Sequence, residues 1–133
     1  MRINPKRKKA FENILDLLKQ IENTVDIILV EGTRDIKALR NIGYSGEIIP
    51  CSQIGLNDYE LADKISEKYH RILILTDFDK EGVLIYQKFH EIFERKYIKV
   101  EDELRKNLGD LMSKLSVYAI ESLDNIQDKI EAN

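Results

Sequence analysis

Three carboxylic acids stand close behind two aliphatic runs. Glu31 follows Ile27-Ile28-Leu29-Val30, and Asp77 and Asp79 follow Ile72-Leu73-Ile74-Leu75. If the two runs are neighbouring strands they lie ~4.8 Å apart, and the carboxylates then reach one bound ion. Like charges at that spacing raise one another's pKa and repel unless a cation compensates them. Mg²⁺ suits such a site, because it takes one or two carboxylates and keeps its other positions for water and substrate phosphate. The single cysteine, Cys51, and the two histidines, His70 and His90, make neither an internal disulfide nor a zinc cluster of usual spacing. Any metal is therefore a hard ion held by oxygen.

Groups suited to phosphate stand next to the acids. Gly32 and Gly82 fall where a strand turns into a helix, and without a Cβ they permit a tight turn and close approach of an anion. Helices starting near Thr33 and Gly82 offer free N–H groups to the same anion. Lys80, set between acids, suits phosphate binding. Asp35 reads as a first-turn acid favoured by the helix dipole, and Glu81 as either a support for the site or a helix-start charge. His70, His90 and Cys51 read as structural, and Tyr86 and Phe89 as packing.

The elements that must hold these residues follow from periodicity. Asn4-Pro5 is a helix start, and Phe11, Ile14, Leu15, Leu18 and Ile21 give one apolar face, predicting a helix over Pro5–Ile21. Val25–Val30 reads as a strand buried on both faces, and Asp35–Asn41 as a helix stopped by Gly43. A short strand is expected at Glu47–Ile49, then a helix capped by Asn57 and carrying Leu61, Ile65 and Tyr69. The second strong strand is Arg71–Leu75, followed by a helix with Val83, Tyr86, Phe89 and Phe93 inward. Beyond Lys96 a strand at Tyr97–Val100, a helix over Asp102–Leu115, a strand at Val117–Ile120 and a helix from Ser122 complete the reading. Strands alternating with helices predict an α/β fold, a parallel sheet covered on both faces.

Composition bounds the classes. The 133 residues match one domain, and 43% hydrophobic residues supply a core, which excludes a fully disordered chain. The aliphatic runs are far shorter than the ~20 residues of a membrane span, and no apolar segment follows the basic N-terminus as in a secretory signal. The expectation is a soluble, cytoplasmic protein. The net charge is −3, but residues 1–10 hold five bases (Arg2, Lys6, Arg7, Lys8, Lys9) and no acid. Setting those five aside from the 21 Lys and Arg leaves 16 bases against 24 acids, or −8, over residues 11–133. A dense basic cluster gains nucleic-acid affinity through counterion release. The chain divides into a basic N-terminal helix over residues 1–22 and a single domain over 23–133.

The segments Glu31-Gly32-Thr33-Arg34-Asp35 and Asp77-Phe78-Asp79-Lys80-Glu81-Gly82, each after a hydrophobic strand, resemble the two signatures of the Toprim domain. That domain is shared by type IA and type II topoisomerases, bacterial primases, OLD-family nucleases, RecR proteins and 5S ribosomal RNA maturation nucleases. The resemblance covers about residues 24–121. It implies a Rossmann-like parallel sheet of about four strands, Glu31 as general acid/base, Asp77, Asp79 and Glu81 as ligands of Mg²⁺ (or Mn²⁺ in its place), and Asp35 as a supporting acid. Thr33 stands where several relatives have lysine, with Arg34 beside it to supply the charge. Phe78 replaces the small residue or proline often found within DxD. Without the accessory regions of the larger relatives, the chain resembles the small stand-alone Toprim proteins described as primase-like or maturase-like.

The function expected is Mg²⁺-dependent cleavage of nucleic-acid phosphodiesters, of a nuclease or RNA-maturase kind, with RNA or DNA as partner and no membrane. Gly32, Arg34, Lys80, Gly82 and the bases Lys6, Arg7, Lys8 and Lys9 are the expected phosphate and nucleic-acid contacts. The alternative from another class is a non-catalytic module that grips nucleic acid, a protein partner or a second copy of the chain. A small-molecule phosphatase ranks last, since dehalogenase-type phosphatases carry DxD after the first strand and Thr or Val where this chain has Glu81.

Overall fold

The computed structural model describes residues 4–52 and 55–131, with side chains up to Ile126. Arg2, among the bases noted above, lies outside the described residues. The elements run α1 (Pro5–Thr24), β1 (Ile27–Val30), α2 (Thr33–Asn41), β2 (Ile48–Pro50), α3 (Asp58–Lys68), β3 (Arg71–Ile74), α4 (Lys80–Arg95), β4 (Lys99–Val100), α5 (Asp102–Lys114) and α6 (Ser122–Glu131). All strand pairings are parallel, in the order β2-β1-β3-β4. The expected four-stranded α/β sheet is what forms.

Alternation within the strands divides the core in two. Ile28 and Val30 of β1 and Leu73 of β3 face a layer made by α1, α2, α5 and α6, whereas Ile27, Leu29, Ile72 and Ile74 face α3 and α4. Both faces are covered, so β1 is buried throughout and carries no polar alternation. The apolar stripe of α1, from Ala10 to Ile21, belongs to the larger core cluster, so this helix packs on the sheet as one of its covering layers.

Local chemistry sets the helix ends. The Asn4 side chain accepts from Lys6 N–H, with Pro5 at the first turn. Asn57 and Glu60 form a reciprocal capping box on α3. Gly43, at φ +103°, takes the left-handed conformation that closes α2. Asp79 caps α4 by accepting from Gly82 N–H at 2.7 Å, so that helix begins at Lys80, two residues before the predicted start near Gly82.

Two strand expectations are corrected. Residues 97 and 98 do not join β4, because Tyr97 sits at φ +60° and is almost wholly exposed. Val117–Ile120 is not a strand: β3 is already flanked by β1 and β4, so no side of it is open to another partner. The segment instead crosses the end of β3, where Tyr118 C=O accepts from Phe78 N–H at 2.7 Å and Ile120 N–H donates to Asp77 Oδ1 at 3.0 Å. Its apolar character comes from burial of Ile120 in the core, not from pairing.

Candidate functional site

The chain leaves β1 towards β2 on one side and leaves β3 towards β4 on the other. The carboxyl ends of these two adjacent strands therefore open a crevice at the topological switch point, where ligands of open α/β sheets bind. Glu31 and Asp77 emerge there side by side. Glu31 Oε2 accepts from Asp77 N–H at 2.8 Å, which ties the end of β1 to the end of β3. A cavity of about 460 Å³ opens at this edge, lined by Glu31, Gly32, Thr33, Arg34, Asp35, Ser52, Asp77 and Glu121.

Electrostatics in the cavity are unfavourable to several ionised acids at once. Burial pushes the Glu31 carboxyl up to about 7, against the lowering effect of the Asp77 N–H, and the charges of Asp77 and Asp35 add to the rise. Asp35, 7% exposed, is also raised, again chiefly by burial. Its Oδ2 accepts from Gly32 N–H at 3.1 Å, which fixes the turn from β1 into α2. That bond consumes the Gly32 N–H and leaves those of Thr33 and Arg34 as the open donors of the helix start. A Cβ on Gly32 would meet nothing within 4 Å, so the glycine is set by no packing demand and leaves open space at the cavity.

The β3 exit is held more tightly. A Cβ on Gly82 would lie 2.0 Å from the Asp77 carbonyl oxygen, so only glycine fits. The buried Thr76 hydroxyl donates to Gly82 C=O at 2.6 Å, closing the loop from the other side. Asp77 Oδ1 is engaged by Ile120 N–H. Asp79 is exposed and uses Oδ1 as the α4 cap, while Lys80 and Glu81 lie exposed on the first turn of α4. These three do not line the cavity that holds Glu31 and Asp77.

Arg105 is the residue that sequence reasoning missed. It is buried on α5, where Nη1 donates to the carbonyls of Ile74 (3.0 Å) and Thr76 (2.8 Å) and Nη2 to that of Asp77 (3.2 Å). Its guanidinium is sandwiched between the rings of Phe78 and Tyr86, 4.4 and 4.5 Å from their centroids. Burial lowers its pKa to about 10, which leaves it charged at neutral pH. The large Phe78 within DxD is accommodated by Gly109, where a Cβ would fall 2.7 Å from the ring. Phe78, Arg105 and Gly109 thus form one unit that grips the three carbonyls at the β3 exit. The available signal was a lone arginine beside the apolar stripe of Leu104, Leu108 and Met112.

The cavity-lining Glu121 and Ser52 were also missed. The rule that selected Glu31 and Asp77, an acid closing an apolar run, applies equally to Glu121 after Val117–Ile120. Ser52 follows β2 at the same sheet edge.

The donor set suits a hard divalent cation, being carboxylate oxygen in a partly desolvated pocket where like charges gather. Among the described residues no group of three or more His, Cys, Asp or Glu side chains already closes on one point. The match is therefore one of chemistry and position, with Glu31 and Asp77 at its centre.

The model of the Toprim domain family matches residues 26–107, which run from the approach to β1 past Arg105 on α5. The chain belongs to the Toprim domain family. It also aligns with the archaeal UPF0292 proteins. That of Thermococcus onnurineus (strain NA1) is 36% identical over 122 residues, covering 92% of this chain and 86% of the relative. The one from Pyrococcus horikoshii is 36% identical over 115 residues, 86% of this chain and 82% of its own. That of Methanosarcina barkeri is 29% identical over 130 residues, covering 98% and 89%. A solved structure of a protein from Aquifex aeolicus superposes with a TM-score of 0.68 at 26% identity, covering 84% of this chain and 95% of that one. Toprim domains generally bind Mg²⁺ through acidic residues, and at family level they point to metal-dependent nucleic-acid processing.

The basic residues form a second region. A groove of about 780 Å³ is lined by Lys6, Arg7 and Lys9 of α1, with Asn13, and by Lys114 at the end of α5. Lys8 is exposed but does not line it. No described helix is long and apolar enough to cross a membrane.

Proposed function

We propose that this Toprim protein cleaves phosphodiester bonds of RNA or DNA in a reaction that needs Mg²⁺, with Mn²⁺ as a substitute. The observation that carries the reading is the 2.8 Å bond from Asp77 N–H to the Glu31 carboxylate at the switch point, which brings both signature acids to one water-accessible cavity.

In this reading Asp77 holds the cation, with Asp79 and Glu81 as its further ligands. The bound ion supplies positive charge to a phosphate oxygen as negative charge develops. Glu31 takes or gives the proton of the attacking or leaving oxygen, a task that suits a carboxyl whose pKa lies near neutrality. Asp35 keeps the Gly32 turn in place through its backbone bond. Arg34, at the cavity wall, and Lys80, at the start of α4, supply positive charge for the phosphate.

The test is cleavage of a hairpin RNA and a single-stranded DNA with Mg²⁺, comparing the full chain with Glu31→Gln and Asp77→Asn. Both variants are expected to lose cleavage, and unchanged cutting in both would sink the assignment. A second reading, a non-catalytic module that grips nucleic acid, draws on Asp79, whose carboxylate already serves as a helix cap. Binding without turnover, indifferent to Glu31→Gln, would favour it.

A further inference from the structure

The two regions lie on the same side of the sheet. Helix α1 ends at Thr24, just before β1 begins, and so runs antiparallel to the strands with its basic first turns towards their carboxyl edge. Helix α5 runs the other way. Glu101 N–H meets Ile72 C=O, Arg105 meets the carbonyls of Ile74, Thr76 and Asp77, and Gly109 meets Phe78, so successive turns climb β3 and pass its end. Lys114 therefore stands beyond the edge, opposite the start of α1 in the groove the two helices share. Among the described residues no acid lines that groove, and none of its four bases is held in an ion pair.

The segment from Lys114 to Glu121 joins the groove to the acidic cavity. Its backbone is pinned by the Phe78–Tyr118 and Ile120–Asp77 hydrogen bonds and by burial of Leu115 and Ile120, each at most 1% exposed. In the middle of this fixed segment Tyr118 is 52% exposed. Four residues of chain put its Cα within ~14 Å of that of Lys114, while its own carbonyl is bonded to the residue between the two DxD acids. A large aromatic side chain on an immobilised backbone, set between a cationic groove and a phosphate-type site, is the combination that binds unpaired strands. The groove follows the backbone charge, and the ring stacks on a base at small entropic cost. Paired bases are already stacked on one another and offer the ring no face.

The geometry points to a path for single-stranded nucleic acid that runs from the Lys6–Arg7–Lys9–Lys114 groove, across Tyr118 as a base-stacking platform, to the Glu31–Asp77 cavity. This assignment rests on the reading of the cavity as a nucleic-acid site and names its substrate as an unpaired strand. The chemistry is common to RNA and DNA.

The experiment measures binding of labelled RNA and DNA strands of about 12 nucleotides, and of the matching duplexes, to the full chain with Ca²⁺ replacing Mg²⁺ so that no strand is cut. Tyr118→Ala is expected to weaken single-strand binding about tenfold and leave duplex binding alone, while Tyr118→Phe stays within about twofold of the parent. Tyr97→Ala serves as the control, since that exposed ring precedes β4 at the opposite edge. The chain contains no tryptophan, so Tyr118→Trp introduces a lone indole whose fluorescence single strands should quench. The RNA and DNA arms show which strand is preferred. Equal binding by parent and Tyr118→Ala with no indole quenching, or equal losses on strand and duplex, overturns the path while leaving the cavity's function standing. No binding of any nucleic acid by the parent protein overturns both.

Discussion

The acidic cavity and the basic groove are built in opposite ways. The backbone at the β1 and β3 exits is held by named bonds, from the Asp35 carboxylate on Gly32 to the Arg105 guanidinium on the carbonyls of the β3 exit. The groove carries lysine and arginine side chains from the ends of two helices. Reaction chemistry requires atoms held in place, whereas attraction of a polyanion requires only charge density. The difference separates two kinds of sensitivity. The cavity should fail through geometry, and the groove through ionic strength.

The sharpest break in this contrast is at the acids themselves. Glu31→Gln or Asp77→Asn should lower Mg²⁺-dependent cleavage by about 10²–10⁴-fold, as loss of a general acid/base or metal-holding group does, while strand affinity measured by anisotropy changes little. The next effect in size belongs to the support. Arg105→Ala leaves the carbonyls of Ile74, Thr76 and Asp77 without their donor in a buried setting and should destabilise the fold by about 3 kcal/mol in urea unfolding. No such loss is expected from the groove. Replacing Lys6, Arg7 and Lys9 together by Gln should leave unfolding unchanged but weaken single-strand binding roughly 50-fold at 0.15 M salt, and make the log–log salt slope shallower by about 2.

The smallest effect tests the electrostatics of the cavity without any substrate. The folded-state pKa of Glu31 is raised to about 7, above its ordinary value of 4.5. Its ionisation therefore costs stability as pH rises from about 4.5 through 7, and the cost is fully present above that. Glu31→Gln keeps an oxygen for the Asp77 N–H and removes the charge. In EDTA at pH 8 the variant should be more stable than the parent by about 1 kcal/mol, allowing for solvent screening of an open cavity, and the gain should vanish towards pH 4.5. A gain independent of pH would mean that packing, not charge, sets the difference.

These features were legible in the sequence to different degrees. Acids and glycines behind hydrophobic runs located the cavity, because a parallel strand buried on both faces announces itself as an unbroken aliphatic segment and its next residue must lie at the sheet edge. The pairing of β1 with β3, which brings Glu31 and Asp77 together, is the sheet order observed. Arg105 was not legible, because its role depends on α5 lying against the β3 exit, a contact between residues about 30 positions apart. The Val117–Ile120 segment misled for a related reason. Burial against a core and pairing in a sheet both select aliphatic residues, and only the placement of the segment, across the end of β3 and not along an open edge, distinguishes them. Asp79 shows the reverse case, where one residue type serves two purposes, since an aspartate after a strand is as good a helix cap as a metal ligand.

The central claim is that Glu31 and Asp77 gather about a hard divalent cation, and its most direct test is an electron paramagnetic resonance titration of Mn²⁺ into the full chain. One Mn²⁺ should bind per chain, be displaced by excess Mg²⁺, and be lost in Asp77→Asn with the fold intact by circular dichroism. Absence of specific Mn²⁺ binding, or binding that survives Asp77→Asn unchanged, would contradict the account.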